Sequence, residues 1–140
     1  MNPTLRHWLG KLPNVIAAAI LAQTLFFKFT AAPESVHIFS TLGLEPVGRI
    51  GSGIAELIAA VLLLWPAFAW MGAALALGVM AGAIVSHLTV LGVEVQGDGG
   101  LLFALAVTVA ALSIMVLVRE RARVQGLFMT IFSKRNAHKA

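Results

Sequence analysis

The chain has 140 residues, of which 59% are hydrophobic and 11% charged, and a mean hydropathy of +0.92. Soluble domains carry about 25% charge, so this composition excludes a water-soluble globule, while the lack of cysteine excludes an internal disulfide, a thiolate-bound iron–sulfur cluster and dithiol exchange. The net charge of +4 and pI near 10.4 come from basic residues flanking apolar runs, which is a membrane-protein pattern and not a nucleic-acid-binding one.

About 20 apolar residues cross about 30 Å of hydrocarbon, and four segments meet that length. The first runs over about residues 13–32, with Pro13 in the first turn, where a proline costs a helix least. Its basic start, apolar stretch from Val15 to Phe27 and small Ala31 and Ala32 have the outline of a cleaved secretory signal. Gln23 and Thr24 interrupt that stretch and Lys28 lies just before the cleavage region, so a retained span is expected. A loop over 33–46 carries Glu34 and Glu45, and the second span covers about 47–65. The Trp65-Pro66 step reads as a tight hairpin into a third span over about 67–91. The cluster Gly97-Asp98-Gly99-Gly100 is a turn before the fourth span, about 99–118.

Beyond Arg119 the chain turns basic, and Val124, Leu127, Phe128, Ile131 and Phe132 recur at helical spacing. The tail, 119–140, therefore reads as an amphipathic helix that lies on the membrane surface or docks a cytoplasmic partner. The expected fold is an all-α integral membrane protein. Residues 1–118 form an antiparallel four-helix transmembrane bundle, and a C-terminal amphipathic interfacial helix follows.

Orientation follows from lysine and arginine placement. Eight of them precede the first span or follow the fourth, against Lys28 and Arg49 near the opposite ends. Both termini are expected in the cytoplasm of a bacterial-type inner membrane, and Trp8, Trp65 and Trp70 fall at the same boundary, where indole rings anchor.

Only seven charges lie within residues 12–118. At about 1.5 Å per residue, Lys28, Ser52, Ser86 and His87 sit about 6–8 Å below the outer surface, and Gln23, Glu56 and Thr108 about 13 Å below it. Four separate stretches thus send their polar groups to the outer leaflet half, which implies a polar pocket opening outward. Arg49, Ser52 and Glu56 share one face of the second span. Arg49 and Glu56 are about 10 Å apart along the axis, so Glu56 pairs with Lys28 or His87, or stays protonated. It serves either as an interhelix lock or as a proton carrier or ligand contact. Arg49 is placed to snorkel to outer headgroups, and Lys28 has the same option. His87 is a core histidine, a hydrogen-bonding ligand contact, or a metal or porphyrin ligand. Gly78, Gly82 and Ser86 recur every four residues, with Gly72 on a nearby face, as a small-residue seam for helix packing, within the bundle or against a second copy.

The runs Gly43-Leu44-Glu45-Pro46, Ile50-Gly51-Ser52-Gly53-Ile54-Ala55-Glu56-Leu57 and Ser86-His87-Leu88, with the Gly97–Gly100 turn, resemble the DoxX-like family of small four-span membrane proteins. Phe26-Phe27-Lys28-Phe29 is similar to that family's close of its first span. The resemblance covers about residues 10–118. It implies a membrane subunit linked to thiosulfate:quinone oxidoreduction or to oxidative-stress assemblies, with Lys28, Glu56 and His87 as its polar site.

The expected function is a redox-associated membrane subunit that binds quinone or a small donor in the outer half. Lys28, Glu56 and His87, together with Gln23, Arg49 and Ser52, are its ligand or proton-coupling candidates. The expected setting is a lipid bilayer with a redox partner protein or a second copy of the chain, and with no nucleic acid, metal or covalent cofactor. The alternative is a non-catalytic scaffold or assembly subunit, and whether the chain alone is an enzyme is left open. A phosphatase or fluorescent-protein reporter fused at residue 140 is expected to report the cytoplasm; periplasmic exposure of the tail would reverse every depth given above.

Overall fold

A computed structural model describes the backbone of residues 2–137 and the side chains of residues 2, 9–123, 125, 126 and 129. The described residues form helices α1 (Pro3–Phe29), α2 (Pro33–Thr41), α3 (Val47–Leu64), α4 (Ala69–Ser86) and α5 (Leu101–Ala137), with a five-residue π turn, His87–Leu91, closing α4. Among these residues, four segments are long and apolar enough to cross a membrane: Leu9–Phe29, Val47–Leu64, Ala69–Leu91 and Leu101–Arg123. The chain is thus an all-α bundle of four spans.

The long helices pack as a ring in the order α1, α3, α4, α5 and back to α1, with the α1–α5 contact the sparsest of the four. Its centre is built from small residues: Ala17 and Ala18 of α1, Ala59 and Ala60 of α3, Ala73 and Ala76 of α4, and Ala106 and Ala110 of α5. Bulky side chains such as Phe26, Leu64, Val85 and Met115 lie outside instead. Lipid tails are as apolar as leucine, so the helices gain by close backbone approach and not by hiding large side chains from water. The closest approach is at Gly72, where an added Cβ would stand 2.5 Å from the Leu63 nitrogen and 2.8 Å from the Ala59 carbonyl oxygen.

Trp65 ends α3 and Phe68 begins α4, so the expected hairpin is present, and the two rings meet edge to face at 5.5 Å. The side chain of Trp8 lies outside the described residues. Several boundaries differ from expectation. Helix α1 starts ten residues before Pro13, which therefore sits inside the helix. A proline there forfeits one backbone bond, at a span end where water and headgroups satisfy what hydrocarbon would not. The stretch expected as a loop over 33–46 contains α2, started by Pro33 at its first turn with Glu34 favourably placed against the helix dipole. Helix α5 continues without interruption past residue 118 to Ala137, because no glycine pair or proline follows Arg119 to stop it. The apolar stripe Val124, Leu127, Phe128, Ile131 and Phe132 lies outside the described side chains.

The seam expected at Gly78, Gly82 and Ser86 packs on no helix of this chain: an added Cβ at Gly78 or Gly82 meets nothing within 4 Å. The packing glycine is Gly72, about two turns earlier. Gly72→Ala is expected to lower stability by about 1–3 kcal/mol, because backbone atoms must move apart, whereas Gly78→Ala raises it by about 0.5–1 kcal/mol. Reversible unfolding in mixed micelles measures both.

Candidate functional site

Glu56 lies on the face of α3 turned into the bundle and is 1% exposed. An isolated carboxylate there would be strongly unfavourable, and two neighbours compensate it. The ammonium of Lys28, near the end of α1, donates to Glu56 Oε1 in an ion pair. The hydroxyl of Thr24, one turn earlier on α1, lies 2.9 Å from Glu56 Oε2 and 2.8 Å from the Leu21 carbonyl. Lys28 Nζ also lies 5.8 Å from the ring centre of Phe39, which α2 brings over the end of the bundle. Thr24 and Lys28 are four residues apart and so share an azimuth on α1, which places both against Glu56.

His87 opens the π turn and is buried on the opposite wall. Its Nδ1 lies 2.8 Å from the Gly92 carbonyl oxygen, and its own carbonyl accepts the Gly92 N–H at 2.9 Å. Gly92 has φ +82°, a conformation that suits glycine and folds its carbonyl back onto the imidazole. A carbonyl can only accept, so Nδ1 carries the hydrogen and Nε2 is the ring nitrogen left for another partner. Phe103 of α5 stands edge-on to the ring at 5.7 Å.

Asp98 organises the start of α5. Its Oδ1 accepts the N–H groups of Val95 and Gly100, and its Oδ2 accepts that of Leu102, each at 2.9 Å. Burial works against its ionisation, but the three backbone donors, with a smaller contribution from His87, outweigh that and hold the carboxyl below its ordinary range.

These groups line one cavity of about 540 Å3 at the α2 end of the bundle. Thr24 and Lys28 of α1, Ser52 and Glu56 of α3, His87 after α4, Asp98 before α5, and Glu34 and Ser35 of α2 all line it. The remaining lining is mainly aliphatic, including Leu102, Leu105 and Val109 of α5. Gly78, Gly82 and Ser86 form part of the α4 wall, so the missing side chains of the seam create volume instead of a helix contact.

The structure therefore gathers Lys28, Glu56, His87 and Ser52 around one space, with Lys28 as the direct partner of Glu56. Among the described contacts His87 bonds to neither of them. Three other candidates are placed elsewhere. Gln23 is exposed on the outside of α1, because it is about 140° away from Lys28 around the helix. Thr108 is exposed and bonded to its own helix at the Ala104 carbonyl. Arg49 does not snorkel to headgroups: it is buried, its Nε lies 2.9 and 3.0 Å from the two oxygens of Glu45, and its Nη1 donates to the Lys28 carbonyl. It thereby satisfies a carbonyl at the end of α1 and locks the α1–α3 crossing. The Glu45–Arg49 spacing of four residues was a readable signal for that pair. Thr24, Glu34, Ser35 and Asp98 are the cavity groups that sequence reasoning did not assign. Among the described residues no three His, Cys, Asp or Glu side chains come close enough together to hold a metal ion.

No family model, no curated protein and no solved structure matches this chain.

Removing one partner of a buried pair is worse than removing both. Lys28→Met is expected to destabilise the bundle by about 3 kcal/mol by stranding the Glu56 carboxylate, and Lys28→Met/Glu56→Gln to recover most of that loss. A double-mutant cycle of unfolding in micelles gives the pair energy, and additive losses would show that the two side chains do not interact.

Proposed function

We propose that the chain is a redox-associated membrane subunit that binds a quinone-type ligand, or a small hydroxylated donor, in the cavity between α1, α3, α4 and α5. The observation that carries this reading is that an amine, a carboxylate and an imidazole line a single apolar-walled cavity. Its volume lies in the range of small-molecule sites, about 300–1,000 Å3.

The residues present suit the polar head and apolar body of such a molecule. When bound, a quinone supplies a two-electron, two-proton redox group. With Nδ1 of His87 held by the Gly92 carbonyl, Nε2 is the ring nitrogen left for the ligand; in the neutral ring it takes a hydrogen bond from a ligand hydroxyl and can receive its proton. Lys28 uses one donor on Glu56 and keeps others for a ligand oxygen. Glu56, facing the same space, exchanges a proton with Lys28 or the ligand. The apolar lining excludes water and receives the ring and the start of any chain. Electrons enter or leave through a redox partner protein. The likeness to the DoxX-like family supports the same class of activity. The distribution of lysine and arginine supports a bacterial-type inner membrane with both termini cytoplasmic and the cavity in the outer half.

A second reading, a non-catalytic scaffold, is favoured by one observation: Thr24, Lys28 and Glu56 already satisfy one another and would lock helix register without a ligand. Organic extraction of the purified protein separates the two. A copurified quinone with its ultraviolet redox difference spectrum is expected. It should fall at least about tenfold in occupancy in His87→Ala and Gly82→Leu, the second by filling space, since a loss of about 1.4 kcal/mol or more in binding gives that factor. Unchanged helical content keeps the comparison fair. A quinone-free protein in a stable heteromeric complex, or retention of ligand by both variants, would favour the scaffold.

A further inference from the structure

The far end of the bundle holds a second crevice, of about 530 Å3, between the start of α1, the α3–α4 hairpin and α5. The candidate function makes no use of it. Lys11, Arg119 and Arg123 line it, with Glu120 as the one carboxylate among its described lining residues.

Asn14 builds this site from beneath. It is 6% exposed; its amide donates to the Leu63 carbonyl at 3.0 Å, and its Oδ1 accepts from Arg119 Nη2 at 2.8 Å. Arg123 Nη1 donates to the Pro66 carbonyl at 2.8 Å. Both guanidinia are thus held in place by neutral oxygens. Glu120 reaches them only at 3.4 and 3.7 Å, longer than a tight charge-assisted bond. Two fixed arginines against one carboxylate, which both reach only at long range, leave the crevice positive. Arg119 and Arg123 are 38% and 50% exposed, so donors remain available. The nearest heavy atom to an added Cβ at Gly10 is Arg119 Nη1, 4.0 Å away, so the absent side chain keeps that nitrogen open.

Location decides the chemistry. The second apolar span ends at Leu64 and the third begins at Ala69, and both residues line the crevice, which puts it at the level where headgroup phosphates lie. Its inner wall, Val15, Leu63 and Leu64, is aliphatic. We propose that this crevice binds the phosphate of an anionic phospholipid, with Arg119 and Arg123 on the phosphate oxygens, Asn14 as the positioning residue and the aliphatic wall against the first acyl carbons. Basic pockets between spanning helices are suited to such headgroups, and arginine forks match phosphate geometry.

The test uses the full chain in phosphatidylcholine vesicles containing a minor fraction of brominated phosphatidylglycerol. Trp65 and Trp70 lie beside the crevice in the chain, at the α3–α4 hairpin, and serve as the quenched fluorophores. Phosphatidylglycerol is expected to quench preferentially over brominated phosphatidylcholine. Arg119→Gln and Arg123→Gln each lower that preference about fivefold, and Gly10→Leu lowers it with no change of charge. Arg135→Gln, in the basic tail, leaves it unchanged. An equal loss in Arg135→Gln would reduce the effect to general surface attraction and overturn the site, as would full preference in Gly10→Leu and in both arginine variants. Competition by excess inorganic phosphate would identify a free-phosphate site and overturn the lipid assignment. Because Gly10→Leu removes no hydrogen bond or charge, it keeps the test decisive if an arginine variant fails to fold.

Discussion

A carboxylate that is 1% exposed on a membrane-spanning helix must be neutralised from within the protein, and Glu56 obtains its countercharge from Lys28 across the α1–α3 contact. This single requirement sets much of the α2 end of the bundle. It turns the Thr24–Lys28 face of α1 toward α3 and leaves Gln23 outside. It also brings the Lys28 backbone carbonyl to Arg49, whose own charge is held by Glu45. An ion pair, Lys28–Glu56, and a hydrogen bond from Arg49 to the Lys28 carbonyl clamp the same pair of helices. The outer one satisfies a helix terminus, and the inner one faces a cavity.

The cavity exists because α4 is asymmetric along its length. Near the hairpin, Gly72 lets α3 and α4 backbones touch; near the other end, Gly78 and Gly82 have no neighbour, and the same residue type produces space. Small residues in a membrane helix therefore do not encode contact by themselves. Their effect depends on whether the facing helix has been drawn in or held off. Here α1 and α5 converge at the Asn14–Arg119 bond and meet only sparsely overall. The cavity lies toward their other ends and is lined in part by α2.

The two ends of the bundle are chemically distinct. At the α2 end, opposite charges and an oriented imidazole line a partly open, largely apolar space. At the hairpin end, cations gather on a crevice at the span boundary, with backbone carbonyls and a buried amide fixing their geometry. In the first, Glu56 is withdrawn from solvent, where each polar contact is strong. The second acts where lipid headgroups and solvent meet, so fixed orientation matters more there than charge alone.

Hydropathy and helix rise were sufficient to read four spans, the hairpin at Trp65-Pro66, the turn at Asp98, and the gathering of Lys28, Ser52, Glu56 and His87 at one end. These are one-dimensional properties: length along the axis and alternating direction place each residue at a level. The sequence did not determine which residue at a given level meets which. The choice of Lys28 over His87 for Glu56, the position of Thr24 inside and Gln23 outside, the burial of Arg49 and the open faces of Gly78 and Gly82 all depend on how each helix is rotated and how closely it approaches its neighbours. Those two quantities come from side chains packing across the bundle between residues as far apart as Asn14 and Arg119. Only the tertiary structure decides them, because no local pattern within a uniformly apolar helix distinguishes the face turned to protein from the face turned to lipid.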